Sequence, residues 1–505
     1  MNGNFYNILN QNFSNYSKNI CFEEESGRIW LYEDIENLAS SFSAFLNQSG
    51  LKKGSKIIVQ IEKSVLAVGL YLGCLRSGII YVPLNVAYTS NEVKYFIEDI
   101  NPDLIFLSLE KKSEHSALLK NTPDLKSIIF SGKEADEFFH KINNIKNDTA
   151  IEVLDENDTA SIIFTSGTTG KSKGAMLTHK NLSSNAFALN NIWGFKENDI
   201  LIHALPIFHV HGLFVALHTA FLSGCKIIYF EKFSPKKIFT YLKNATVMMG
   251  VPTYYSRLLS LKDFSKKACK NLRLFISGSA PLTETVFNEF EERSGHKILE
   301  RYGMSETGMI TSNPLDGKRI EGTVGFALPE VNIRICSQEG EILPNNEKGI
   351  VEVKGPNVFK GYWNLEEKTK KEFRDDGFFI TGDIGKIDKN NRLTLFGRSS
   401  DMVISGGYNI YPKELELILD EIKGISESAV IGCPHNDLGE AIVAILISDK
   451  KDSISDDKLT KILLESIAKF KCPLKYFWLE ELPRNAMGKV QKKILRENYI
   501  NVFTE

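Results

Sequence analysis

Ten consecutive residues concentrate the means to bind a polyphosphate: Thr165-Ser166-Gly167-Thr168-Thr169-Gly170-Lys171-Ser172-Lys173-Gly174. Gly167, Gly170 and Gly174 open backbone conformations closed to other residues, so main-chain N–H groups can turn toward a ligand. The hydroxyls and two lysines add donors and positive charge. The preceding run Ser161-Ile162-Ile163-Phe164 reads as a buried strand. A merely solvated Gly/Ser loop would not need strand, hydroxyls and lysines together. Thr165 to Ser172 nearly matches the phosphate-loop pattern G-x-x-x-x-G-K-[ST], with Thr165 in place of its first glycine. That pattern needs a helix directly after its Lys-Ser, whereas here Gly174 intervenes and Ala175-Met176-Leu177-Thr178-His179 reads as a returning strand. The expectation is a hairpin with a flexible tip.

Four further groups follow in order: Glu300-Arg301-Tyr302-Gly303-Met304-Ser305-Glu306, Thr381-Gly382-Asp383, Gly397-Arg398, and Pro483-Arg484-Asn485-Ala486-Met487-Gly488-Lys489. With the loop, they resemble the motifs of the adenylate-forming superfamily (acyl-CoA synthetases, firefly luciferases, peptide-synthetase adenylation domains). Ser172 departs from a common proline and Ser305 from the commoner threonine. The resemblance implies that Thr165, Ser166, Gly167, Thr168, Thr169, Gly170 and Lys171 cradle the phosphates of ATP. Ser279, Ala280, Glu300, Arg301, Tyr302, Gly303, Met304 and Ser305 would complete the nucleotide site, with Tyr302 stacking on adenine and Ser305 reaching the phosphates. Asp383 would accept hydrogen bonds from the ribose hydroxyls, and Arg398 would contact ribose and phosphate. Glu306 would hold Mg2+, which suits a hard cation that prefers carboxylate oxygen. Lys489 would be the adenylation lysine. Joining a carboxylate to an α-phosphate brings two anions together, and a mobile ammonium can neutralise the developing charge.

The family's two half-reactions imply a hinge at Ser400, with Asp401 next to it. Rotation there would withdraw Lys489 and bring Ser405-Gly406-Gly407-Tyr408 to a pantetheine tunnel, Gly406 and Gly407 permitting close approach of the CoA thiol. A hinge residue needs only tolerance of large φ/ψ changes, which serine has.

His203, His209, His211 and His218 form a group in which a His-x-His pair invites comparison with zinc sites. No carboxylate or cysteine stands at ligand spacing beside them. Leu213, Leu217 and Phe221 recur as one buried helix face, which makes His218 structural. His209, in Pro206-Ile207-Phe208-His209, resembles the family's histidine at the mouth of the acyl pocket, where it would serve catalysis.

Arg301 says most about the acid. In relatives that use neutral acids the equivalent position lines the acyl pocket and is often glycine. A buried, unpaired guanidinium is costly, so this arginine should meet an anion, which points to a second acidic group on the substrate. Arg257 and Ser277 could assist it. The alternative is that Arg301 pairs with Glu300 or another protein acid and fills space. Beyond single sites, Ala204 to Phe214, Gly250 to Thr253, Leu274 to Pro281, Glu300 to Glu306, Gly322 to Phe326 and Ile404 to Lys413 resemble malonyl-CoA synthetases. In that family Arg301 and its neighbours would bind the distal carboxylate, and Met309 would limit space around the central carbon.

The implied activity is an ATP- and Mg2+-dependent ligase that joins a small dicarboxylic acid, malonate first, to AMP and then to CoA. Methylmalonate, oxalate or succinate as the acid, a carrier protein as acceptor, and a phosphate-releasing NTPase are the rival readings.

These residues need a large scaffold. At 505 residues the chain exceeds one ordinary core. Lys56–Gln60, Ile79–Val82 and Leu104–Leu107 read as strands, and Val65, Val68, Leu72 and Leu75 mark a helix stopped by Gly78. Such alternation implies parallel sheets with covering helices. From about Glu321 short strands crowd together as a β-rich subdomain; beyond Arg398 come strands near 429–431 and 441–447, a helix opened by Pro412, and another near 457–469. The expected fold is α/β: a large N-terminal adenylation domain, residues 1–398, of parallel-rich sheets covered by helices plus the β-rich subdomain. A small mobile α/β domain, residues 399–505, would carry Lys489.

Net charge is −2, so no global field recruits nucleic acid. No run approaches 18 apolar residues, so no membrane insertion is expected. The seven cysteines are scattered and form no C-x-x-C pair, which argues for a reducing compartment; with no signal peptide evident, the expectation is cytoplasmic.

Overall fold

The apolar, β-branched runs become the strands of three sheets in a computed structural model that describes residues 2–503, apart from 131, 144, 146–149, 166–171, 407, 449–453 and 486–487. In a seven-stranded sheet, Ile80–Pro83, Lys56–Gln60, Leu104–Leu107 and Lys126–Ile129 pair in parallel. The strand Thr159–Thr165 joins Ile80–Pro83, and Lys173–Thr178 returns antiparallel beside it. The helix Val65–Ser77 is buried along its whole length and ends on Gly78 in the left-handed conformation, as its spacing predicts.

The second sheet has thirteen strands. Ile20–Glu24, Lys226–Tyr229, Ile200–His203, Val247–Gly250, Leu274–Ser277 and Leu299–Met304 run parallel through its middle. Successive side chains alternate between two cores: Leu201, Met249, Ile276 and Leu299 face one, while Ile202, Met248, Phe275 and Ile298 face the other. Burial on both faces is why these strands read as continuous apolar runs. The register sets His203 beside Met249, Gly250 beside Ser277 and Ser277 beside Glu300. The carboxyl ends of neighbouring strands therefore open on one side, where parallel sheets place their ligands.

Two sequence expectations change. The β-rich stretch after Glu321 is present as expected, but its strands are not a sheet of their own. Gly308–Ser312 folds back on Leu299–Met304 and offers its other edge to Thr323–Ala327, so the later strands extend the large sheet. The segment carrying Leu213 is π-helical over His211–Ala216 and becomes α-helical only at Leu217–Ser223, although Leu213, Leu217 and Phe221 are all buried. One-turn π segments inside helices cluster at functional sites.

The large sheet's last strand in the chain, Leu393–Arg398, runs into a 3₁₀ turn, Ser399–Asp401. From Val403 the strands belong to a separate five-stranded sheet with its own apolar clusters. Pro412 opens the helix Pro412–Asp420. The helix expected near 457–469 spans Asp456–Ser466, because Ile467 is already extended.

Candidate active site

The described ends of the glycine-rich stretch pair as an antiparallel hairpin. Thr165 pairs with Lys173 and Phe164 with Gly174, and helix begins only at His179, capped by Thr178. That is the arrangement the intervening Gly174 demanded. Ser166, Gly167, Thr168, Thr169, Gly170 and Lys171 lie outside the described residues. At the hairpin's root Lys173 Nζ sits 3.3 Å from Glu372 Oε1 and 4.2 Å from the centre of the Tyr362 ring.

The motif from Glu300 to Glu306 is itself a strand, Leu299–Met304, and its turn. Alternation along a strand sends Glu300 and Arg301 to opposite faces, so they do not pair. Glu300 is buried and takes backbone hydrogen bonds from Gly322 and Leu282, and burial pushes its carboxyl up to about 8. Tyr302, also buried, donates its hydroxyl to Asp383 Oδ2 at 2.5 Å. Asp383 Oδ1 meets Arg398 Nε at 2.9 Å, and Arg398 Nη1 donates to the Thr381 carbonyl at 2.9 Å. The Asp383 charge holds the Arg398 guanidinium above its ordinary pKa. Thus three of the distant motifs are joined by direct contacts. Gly303, Met304 and Ser305 are half-buried and, with Ser279 and Ala280, stand at the carboxyl ends of adjacent strands.

Glu306 is buried, and burial raises its pKa. Tyr362 donates to Glu306 Oε1 at 3.0 Å and lies 2.8 Å from Glu372 Oε2. One phenolic proton cannot satisfy both acids, so Glu306 keeps acceptor capacity that a hard cation can use.

Lys489 reaches this group from the small domain. Its N–H donates to Asn485 Oδ1 at 3.0 Å, and a Cβ added to Gly488 would stand 3.4 Å from Thr253 in the helix Pro252–Leu259. The side chain keeps solvent contact, yet desolvation of the ammonium and the Arg398 charge lower its pKa, while Asp383, Glu306 and Asp401 oppose them. The small domain is thus seated with its lysine over the motif residues.

A second cluster lies beside the first. Arg301 is 3% exposed, and its Nε and Nη2 have no hydrogen-bond partner among the described residues. Burial lowers its pKa. Ser277 Oγ and His211 Nε2 are buried and equally unpartnered, and His211 Nδ1 stands 3.3 Å from Ser279 Oγ. Ser279 holds a left-handed φ of 72°, rare for serine. Gly278 leaves the space the guanidinium fills, since a Cβ there would come within 2.5 Å of Arg301 Cζ. Burial depresses His209 to about 3, helped by the Lys489 and Arg301 charges, so its imidazole is neutral. Burial, with the Arg301 charge second, holds His211 well below its ordinary pKa too. Met309 is buried beyond Gly303. The cluster therefore offers a buried cation and unspent donors, the complement of an anion.

Arg257 and Gly406 stand apart from this cluster. Arg257 lies four residues after Thr253 on the same helix face, exposed, its guanidinium without a hydrogen-bond or ion-pair partner among the described residues. Gly406 is exposed at the turn joining Val403–Ser405 to Tyr408–Ile410, with a left-handed φ of 56°, and Gly407 lies outside the described residues. Ser400 sits within the 3₁₀ turn, next to Asp401, whose carboxylate pairs with Arg496. Sequence reasoning missed His211 as a pocket residue. Its only signal was the His-x-His pair, and nothing in that spacing says which ring nitrogen is left without a partner.

Residues 9–363 match the family described as AMP-binding enzyme, and residues 414–489 its C-terminal domain. The chain is 36% identical to a malonate–CoA ligase of Arabidopsis thaliana over 94% of this chain and 83% of that protein. It is 32% identical to a long-chain-fatty-acid–CoA ligase of Bacillus subtilis strain 168, over 93% and 90%. Its structure superposes on ATP-bound MatB from Rhodopseudomonas palustris with a TM-score of 0.96 and 44% identity, covering all of both chains. The apo form of MatB gives 0.84 at the same identity, so the present arrangement is nearer the ATP-bound one.

Proposed function

This chain belongs to the AMP-binding enzyme family, and from that premise we propose that it is an ATP-dependent acid–thiol ligase converting malonate and CoA to malonyl-CoA through malonyl-AMP, with release of AMP and pyrophosphate. The observation that carries the choice of acid is Arg301. Its buried, unpartnered guanidinium, flanked by Ser277 and His211, is the counter-charge a second carboxylate would need. A fatty acid would leave that cation stranded.

In this reading residues 1–398 bind ATP and acid, and residues 399–505 form the mobile domain. Arg301, Ser277 and His211 hold the distal carboxylate, and Arg257 stands on the helix that the Lys489 loop meets. Met309 bounds the central carbon. His209, neutral at the junction of Lys489 and Arg301, lines the path of the reacting carboxylate. Lys489 and Arg398 offset the negative charge that accumulates as carboxylate oxygen approaches the α-phosphate. Asp383 and Tyr302 position the nucleoside, and Glu306 is the residue that would hold Mg2+, which when bound neutralises phosphate charge. Gly406 and Gly407 would admit the thiol after the small domain turns. The seven cysteines are all free and buried, which supports a reducing, cytoplasmic setting. Among the described residues no helix is long and apolar enough to cross a membrane.

The experiment is AMP release in the presence of CoA across malonate, methylmalonate, succinate, oxalate, acetate and coumarate. Malonate should give the highest kcat/KM; preference for a monocarboxylate would overturn the acid assignment, and release of inorganic phosphate instead of AMP would overturn the reaction.

The hinge gives a further expected result. Proline at Ser400 fixes φ near −65° and biases Ser399 away from helical values. Ser400→Pro should lower complete turnover several-fold while ATP affinity, read by calorimetry, stays close to wild type. Unchanged turnover would place the hinge elsewhere.

A further inference from the structure

Lys63 lies more than two hundred residues before Arg301 and belongs to no motif. It follows the strand Lys56–Gln60 of the seven-stranded sheet, yet its ammonium is spent on the other sheet. Nζ stands 2.9 Å from His203 Nδ1, 3.0 Å from the His203 carbonyl and 2.6 Å from the Phe230 carbonyl, and 4.2 Å from the centre of the Tyr229 ring. A carbonyl only accepts, so the imidazole proton must sit on Nε2, which faces the Gly212 carbonyl, and Nδ1 accepts from Lys63, whose pKa burial lowers. From there Nε2–H donates to the Gly212 carbonyl at 2.9 Å. Gly212 belongs to the π-helical turn next to His211, where the chain is so close-packed that a Cβ would lie 2.1 Å from the Pro206 carbonyl.

We infer that Lys63 is a positioning residue of the acyl pocket, acting through the tautomer of His203 to hold the turn that presents His211 beside Arg301. The inference rests on the reading of that pocket as the site of the distal carboxylate. Burial, and after it the Lys63 charge, keeps His203 neutral. The titratable and charged groups about this imidazole are Lys63, Tyr229 and His211, with Glu25 and Glu231 beyond Lys63 and Arg301 beyond His211.

Lys63→Met removes the donor to Nδ1. His203 can then adopt the Nδ1–H tautomer, which sets the Nε2 lone pair against the Gly212 carbonyl. At pH 8 the KM for malonate should rise roughly tenfold, as for loss of one hydrogen bond, with the KM for ATP little changed. Burial, the larger cause, still keeps His203 neutral in the variant, so the rise in malonate KM relative to wild type should persist from pH 8 to pH 6. Imidazole 15N shifts should report a single Nε2–H tautomer in wild type and a mixture in Lys63→Met.

A folded Lys63→Met that keeps the single tautomer, or raises both KM values together, overturns the inference. If that variant does not fold, His203 carries the test. The amide nitrogen of His203→Gln stands about where Nε2 stood and should preserve malonate KM, whereas His203→Leu should raise it; equal values overturn the inference. The tautomer measurement involves no acid substrate, so it still decides the Lys63 linkage if the pocket proves not to select diacids.

Discussion

Replacing Arg301 by glycine is expected to lower kcat/KM for malonate by at least ~10²-fold while leaving acetate and butyrate little changed or improved. A charge-assisted hydrogen bond contributes about 1.5–3 kcal/mol, and an anion left in a buried pocket without its cation costs more. At ~1.4 kcal/mol per tenfold, two orders of magnitude is the lower expectation. The structure sharpens the reasoning, because Glu300 points away and no acid of the described protein pairs with the guanidinium. Arg301→Lys should recover malonate only in part, since an ammonium lacks the fork that Gly278 makes room for. The measurement is kcat/KM for each acid by AMP release, with circular dichroism to establish folding. An equal loss for malonate and butyrate would mean that Arg301 supports the adenylate rather than the second carboxylate.

Lys489→Ala should reduce malonyl-AMP formation by about 10²- to 10³-fold, the usual consequence of removing one group that meets charge developing in the transition state. Thioester formation from supplied malonyl-AMP should be close to wild type. The ammonium senses Arg398, Asp383 and Glu306 in the present arrangement, whereas Gly406 lies exposed on another part of the small domain. On the proposed reading, in which Gly406 admits the thiol, the small domain takes up two arrangements in turn. Pyrophosphate exchange reads the first half and single-turnover transfer to CoA the second; parallel losses in both would count against two arrangements.

The strands and helices were legible because their signals are local. Lys56–Gln60 and Leu104–Leu107 match the expected bounds, and Gly78 and Pro412 end or open helices through their own backbone limits. The hairpin after Thr165 was legible for the same reason, Gly174 breaking the turn that a phosphate-loop helix would need. The π-helical turn at His211–Ala216 was not, since π and α turns share the same apolar spacing over one or two turns. Neither was the merging of the later strands into the large sheet, which depends on Gly308–Ser312 pairing on both edges.

By itself the sequence determined which groups were available for chemistry: a glycine- and hydroxyl-rich loop, a carboxylate at Glu306, a lysine at 489, and an arginine at 301. Only the tertiary structure decided which of them meet. Tyr302, Asp383 and Arg398 are joined by hydrogen bonds and an ion pair across about 100 residues of chain, and Arg257 is left exposed outside that network. Whether Arg301 paired with Glu300 was open in the sequence and closed by strand alternation, which turns neighbours to opposite faces. His211 became a pocket residue, and Lys63 its support, through burial and hydrogen-bond saturation. Both are properties of a group's surroundings in space, and residue type and spacing do not encode them.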